Sequence, residues 1–201
     1  TVTAADIPQR LTAVGTVEAT ESVVVRPQIS GELAEVFFQE GQEVARNQKL
    51  FQLDARSYQA ALSKAEASLT RNRVIMENAR KDHQRYEHLV KDGIVTHEQA
   101  EGYRTKAESA AADVEADKAT VEHARVQLSY TTIRAPFSGR LGNLTVHRGN
   151  VVEANKTALV TLNALAPVYV TFSLPANALA AVRQRMTAGA ARVEAELPGV
   201  E

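Results

Sequence analysis

Residues 23–54 read VVVRPQISGELAEVFFQEGQEVARNQKLFQLD, and residues 131–163 read TTIRAPFSGRLGNLTVHRGNVVEANKTALVTLN. Offset by 108 positions, the two stretches share Arg26/Arg134, Ser30/Ser138, Gly31/Gly139, Leu33/Leu141, Gly41/Gly149, Val44/Val152 and Asn47/Asn155; one inserted residue then aligns Leu50 with Leu159 and Leu53 with Leu162. Agreement sustained at a fixed offset is a stronger signal than any single short motif. In each copy Ser-Gly supplies a tight turn, and Gly41 or Gly149 supplies a permissive backbone between two short strands. Leu33 and Val36, or Leu141 and Leu144, give each copy an apolar face. Neither copy can bury that face alone, so the two are expected to close on each other as one small β-sandwich, with Gly31, Gly41, Gly139 and Gly149 as its turn glycines and the intervening residues inserted at its tip.

The insertion, residues 55–130, has the opposite character. All six prolines lie at 8, 27, 136, 167, 175 and 198, and between 55 and 130 the only glycines are Gly93 and Gly102. The segment holds 24 of the 47 charged residues and is rich in Ala, Glu, Lys, Arg and Gln, which reads as continuous helix. Leu62, Leu69, Met76, His83 and Val90 recur every seven residues, interleaved with Tyr58, Ala65, Asn72, Ala79 and Tyr86. A second seam runs through Ala100, Tyr103, Ala107, Ala110, Val114, Asp117, Val121, Ala124 and Leu128. Two heptad seams around one turn predict an antiparallel helical hairpin. Each arm of about 35 residues would be roughly 50 Å long.

Lys91-Asp92-Gly93 signals the turn, with Gly93 the candidate left-handed residue, and Thr96 with Gln99 forms a capping box for the second helix. A midpoint between 93 and 94 predicts facing pairs Leu62 with Ala124, Met76 with Ala110 and Tyr86 with Ala100. Residues 55–91 carry eight basic and four acidic side chains, and residues 97–130 four basic and seven acidic, so charge favours the pairing. Asn72, His83 and Asp117 are read as register-setting or solvent-facing residues of a thin seam.

Composition sets the outer limits. The 201 residues are 44% hydrophobic with a net charge of -1, no Cys and no Trp. Zero Cys excludes a disulfide framework, a thiolate metal site and a Cys nucleophile. A near-neutral charge argues against a nucleic-acid partner. The most apolar run, 158–172, is interrupted by Thr161, Asn163 and Pro167 and is too short to span a bilayer. None of the five His has a Cys or paired carboxylate at ligand spacing. No Ser-His-Asp arrangement, Walker loop or dinucleotide fingerprint is present. No catalysis, no cofactor and no metal are expected.

The two half-motifs resemble biotinyl and lipoyl carrier domains, and the whole arrangement resembles the periplasmic adaptor subunits, or membrane fusion proteins, of bacterial tripartite efflux pumps. VGTVEA, VRPQISGELAEVFFQEGQEV, YTTIRAPFSGRLG and APVYVTFSLPANAL carry the likeness. It implies an α+β, elongated modular protein: a lipoyl-like sandwich (22–54 and 131–164) split by a coiled-coil hairpin (55–130, tip at about 89–97), with a partial β-barrel from 1–21 and 165–201. The barrel pieces would be strands at Arg10 to Val17, Pro167 to Leu174 and Ala191 to Leu197, and a helix from near Pro175 to about Met186.

In that family an Arg, a Leu four residues on and a Ser seven further engage a TolC-like outer-membrane channel. Arg85, Leu89 and Thr96 meet the spacing, Thr keeping the hydroxyl and adding a methyl. The hairpin seam would be held by Leu62, Leu69, Met76, Val114, Val121 and Leu128. The resemblance further implies an inner-membrane transporter as second partner, of the resistance-nodulation-division type on the strength of APVYVTFSLP, self-association into a ring, and a periplasmic location. The chain is expected to be a fragment of a longer protein whose anchor and remaining barrel lie outside it.

Three other readings compete. An ABC-type exporter could be the partner. A lipoyl or biotinyl carrier would need a modifiable Lys at the turn between the halves, but that point falls at Leu53-Asp54-Ala55. A generic coiled-coil scaffold leaves the β repeat unexplained.

Overall fold

The computed structural model describes residues 12–174, 178–187 and 194. The element order is β1 (Gly15–Ala19), β2 (Ser22–Val25), β3 (Gly31–Val36), β4 (Glu43–Val44), β5 (Lys49–Leu53), α1 (Arg56–Lys91), α2 (His97–Ser129), β6 (Thr132–Arg134), β7 (Gly139–Leu141), β8 (Val151–Val152), β9 (Val160–Asn163), β10 (Val168–Phe172) and α3 (Leu179–Thr187). The fold is α+β. Two compact units form, one spanning Glu21–Leu165 and a smaller one uniting the described residues before and after it.

The repeat closes into two four-stranded sheets, ordered β2-β9-β7-β4 and β6-β5-β3-β8. Each sheet takes strands from both halves, so neither half completes a sheet alone. The hydrogen bonds obey the same offset of 108. Leu33 N–H donates to Asn150 O and Leu141 N–H to Gln42 O, at 2.8 and 3.0 Å. Gly41 N–H donates to Leu141 O and Gly149 N–H to Leu33 O. The two shared serines act alike: Ser138 Oγ accepts from Arg46 N–H and Ser30 Oγ from Ala154 N–H, both at 2.9 Å. The sandwich thus has an approximate internal two-fold, with each half satisfying the other's backbone.

Backbone conformation explains two of the shared positions and corrects one other. Gly41 and Gly149 have φ of +74° and +88°, and Asn47 and Asn155 have φ of +66° and +58°. Asn is the residue besides Gly that enters this left-handed region most readily. Gly31 and Gly139, expected as turn glycines, instead open β3 and β7. A Cβ on Gly139 would lie 2.3 Å from Asn163 O, so its role is close backbone approach.

Leu33, Leu50, Phe51, Leu53, Val152, Leu159 and Leu162 are fully enclosed between the sheets. Each such side chain stabilises by about 1.5–3 kcal/mol relative to exposure. Leu33 and Val36 are three apart and would face opposite ways on a regular strand. A bulge between Leu33 and Glu35 resets the register, pairing Leu33 with Leu53 and Val36 with Phe51.

The hairpin leaves the sandwich from two adjacent strands, since β5 pairs antiparallel with β6. Asp54 accepts from the Arg56 N–H and holds its guanidinium at 2.7 Å, which draws the Asp54 pKa down from 3.8 to about 2. Tyr58 Oη donates to Ser30 O, and Gln52 Nε2 donates to Thr131 Oγ1 while its Oε1 accepts from Thr132. Both feet of the hairpin are therefore tied to strands.

In the smaller unit β1 pairs antiparallel with β10 over Gly15↔Phe172 to Ala19↔Val168. The strand expected at Arg10 to Val17 is displaced: residues 12–14 are irregular and β1 runs on to Ala19. The helix expected to end near Met186 is α3, ending at Thr187. The strand expected at Ala191 to Leu197, apart from Glu194, and residues 10–11 and Pro175 lie outside the described residues. Among the described residues no helix is long and apolar enough to cross a membrane.

Candidate functional site

At 1.5 Å per residue, the 36 residues of α1 extend about 54 Å from the sandwich. Near the sandwich, Leu62, Ala65 and Val121 form a buried cluster, with Leu69, Ala124 and Leu128 packed against it. Farther out, Ala110 and Val114 are buried and Met76 is partly buried. Small residues dominate the second helix, so the interface is thin.

Polar groups enter the seam. Asn72 Nδ2 donates to Asp117 Oδ2 at 2.7 Å, and the Nδ1 of His83 is enclosed without a partner. The expected facing of Tyr86 with Ala100 is corrected: Tyr86 stacks on Tyr103, centroids 3.8 Å apart. Moving three residues along α2 steps from one seam position to the next. The seam therefore keeps its face, and aromatic contact selects the partner.

The turn is built from two reinforcing caps. Asp92 ends α1, Gly93 takes φ +70°, Gly93 N–H donates to Val90 O and Ile94 N–H donates to Leu89 O. This pair of bonds around a left-handed glycine is a Schellman motif. Thr96 then caps α2: its Oγ1 accepts from Gln99 N–H at 3.3 Å, and Gln99 Oε1 accepts from Thr96 N–H at 3.2 Å.

Arg85 and Leu89 are thus placed on the last turns of α1, and Thr96 is the N-cap residue just before α2. Arg85 is four residues before Leu89, on the same face of the helix. Its side chain is 67% exposed and pairs with Asp82 at 3.4 Å through one nitrogen, leaving further guanidinium donors available. Leu89 is partly buried and Thr96 is exposed. The cap uses the Thr96 oxygen as acceptor, so the hydroxyl hydrogen remains available to a partner.

One residue escaped the sequence reading. Ile94 is 67% exposed beside Leu89 in the chain's turn, whereas its neighbour Val95 is partly buried. The signal was present as an Ile-Val pair wedged between a C-capping Gly and an N-capping Thr, a place where polar residues prevail. A cation, a hydroxyl and bare aliphatic surface on a rigid turn can hydrogen-bond carbonyls and fill an apolar notch. Among the described residues no group of three or more His, Asp and Glu is placed to hold a metal ion.

Residues 21–163 match the family described as RND MFP, barrel-sandwich hybrid domain. The chain is 36% identical over 192 residues to the multidrug resistance protein MdtA of Klebsiella pneumoniae, covering 95% of this chain and 47% of that protein. It is likewise 36% identical over 178 residues to MdtA of Proteus mirabilis, covering 88% of this chain and 43% of that protein. The chain therefore spans about half the length of these relatives. Among solved structures, a MacA–MexA chimera carrying the MexA α-hairpin domain of Pseudomonas aeruginosa aligns with a TM-score of 0.59 at 27% identity, over 84% of this chain and 55% of that one. The membrane fusion protein Spr0693 of Streptococcus pneumoniae R6 aligns at 0.64 with 19% identity, over 85% and 73%, showing the shared fold. The mutually closed repeat, the hairpin rising from adjacent strands and the match over residues 21–163 together make this chain a member of the membrane fusion protein family of resistance-nodulation-division pumps.

Proposed function

We propose that the chain is part of a non-enzymatic periplasmic adaptor in a multidrug efflux pump, its hairpin tip docking on a TolC-like outer-membrane channel. The observation that carries this is the tip itself: a doubly capped turn presenting Arg85, Ile94 and Thr96 at the end of a helix pair anchored by both feet. A helix pair serving only to brace the sandwich would not need to extend about 54 Å from it. In this role Arg85 donates to carbonyls or carboxylates at the channel mouth, Leu89 and Ile94 fill an apolar notch, and Thr96 adds a hydroxyl contact. The complete protein clasps an inner-membrane transporter, which supplies the energy, and copies assemble side by side into a ring held at the inner membrane.

The rival readings fit the geometry less well. A carrier domain would present its modified Lys at a tight turn, but α1 begins there, directly after Asp54 and Ala55. A self-associating scaffold would leave its seam for another chain, whereas here Leu62, Ala65 and Val121 already close on each other.

The test is in-cell crosslinking. These 201 residues contain no Cys, so Ile94→Cys in the full-length protein, with any Cys elsewhere replaced by Ser, gives a single defined probe. Specific crosslinks to the outer-membrane channel are expected. Arg85→Asp and Leu89→Ser should each abolish drug efflux at normal expression; unchanged efflux in both would overturn the tip assignment.

A further inference from the structure

Tyr86 and Tyr103 lie face to face across the hairpin with planes 22° from parallel and centroids 3.8 Å apart, closer than the usual 4.5–7 Å aromatic pair. Their hydroxyl oxygens share a hydrogen bond of 3.2 Å, so the rings point the same way and the ring carbons flanking each hydroxyl are brought together. Both residues are partly exposed, and the Lys106 ammonium stands 4.8 Å from the Tyr103 centroid. Among the described residues no other tyrosines stack on each other. A pair of Leu or Ala residues would close the seam equally well. What two phenols add is one-electron chemistry.

We propose that Tyr86 and Tyr103 form a modification site at which hydrogen peroxide, acting through a haem peroxidase, joins them into an intramolecular dityrosine that staples the two helices below the turn. Each phenol loses one electron and its hydroxyl proton to give a phenoxyl radical whose spin resides partly on the carbons flanking the oxygen. The two radicals combine as a new carbon–carbon bond between those carbons, and the hydrogens on the joined carbons leave the ring as it regains aromaticity and both hydroxyls are restored. The net loss is two electrons and two protons, which reduce one hydrogen peroxide to two waters. The hydrogen bond to Tyr103 holds the Tyr86 pKa above its ordinary range, so the Tyr86 phenol enters the reaction protonated and loses proton and electron together. The product closes a covalent loop around the turn and prevents the tip from splaying.

The full-length protein is treated with peroxide and a haem peroxidase, then digested with trypsin, which cuts after Arg85, Lys91 and Arg104. Expected is a linked pair of peptides, residues 86–91 and 92–104, two hydrogens lighter than their sum, from protein running as a monomer on a denaturing gel. Tyr86→Phe and Tyr103→Phe should each lose that pair and its dityrosine fluorescence with unchanged circular dichroism. Absence of the linked pair once the peroxide is consumed, its occurrence only in dimeric bands, or fluorescence retained in both variants would overturn the proposal.

Discussion

Glycines in this chain serve three separate ends, and each answers differently to a methyl group. Gly139 sits where a Cβ would meet Asn163 O at 2.3 Å, while Gly102, inside α2, has nothing within 4 Å. Gly139→Ala must push β7 away from β9 and is expected to cost about 1–3 kcal/mol, as overpacking does. Gly102→Ala removes a flexible residue from an exposed helix and is expected to stabilise by about 0.5–1 kcal/mol. Urea unfolding of both variants checks the opposite signs. The sequence showed that Gly31, Gly41, Gly139 and Gly149 recur, yet it could not separate left-handed turns from close approach, because both demands select the same residue. Asn47 and Asn155 were visible as a matched pair without a reason; the reason is a φ value, which no side-chain pattern encodes.

The hairpin is where periodicity spoke most clearly and stopped soonest. A heptad pattern identifies which face of each helix is inward but not which residue meets which, since a slip of three or four positions preserves the seam. Tyr86 against Tyr103 and Asn72 against Asp117 fix the pairing through specific contacts. The tip carries the sharper ambiguity, because Thr96 is at once a helix cap and a candidate docking residue. Substitutions separate the two roles. Thr96→Ala should lose about 0.5–2 kcal/mol with the cap, whereas Thr96→Ser keeps the capping oxygen and should stay near wild type in stability. Thermal unfolding measures the first property, and the channel crosslink of Ile94→Cys measures the second in the same backgrounds. Ile94 itself was hidden because exposure in a turn depends on how the two caps orient it.

Across the molecule, the repeat and the break in composition were enough to indicate a sandwich with an inserted hairpin. They did not show that each sheet would draw strands from both halves. Because β5 and β6 are neighbours and Leu53 N–H bonds Thr131 O at 2.8 Å, a short turn could join the two strands in place of the insertion without breaking a strand pairing. Replacing residues 56–129 by a short Asn-Gly turn should leave a folded β protein, seen as dispersed amide resonances and a circular dichroism spectrum stripped of its helical bands. The same adjacency governs how the natural chain comes together. The two halves of the sandwich are separated by a long stretch that would normally make their pairing slow, since distant contacts must first overcome loop-closure entropy. Helices, however, form from local contacts in microseconds or less. Once α1 and α2 have zipped along their seam, residues 53 and 131 are delivered side by side, and a distant encounter becomes a local one. The hairpin that reaches outward in the finished protein is, during folding, the clasp that draws its two β halves shut.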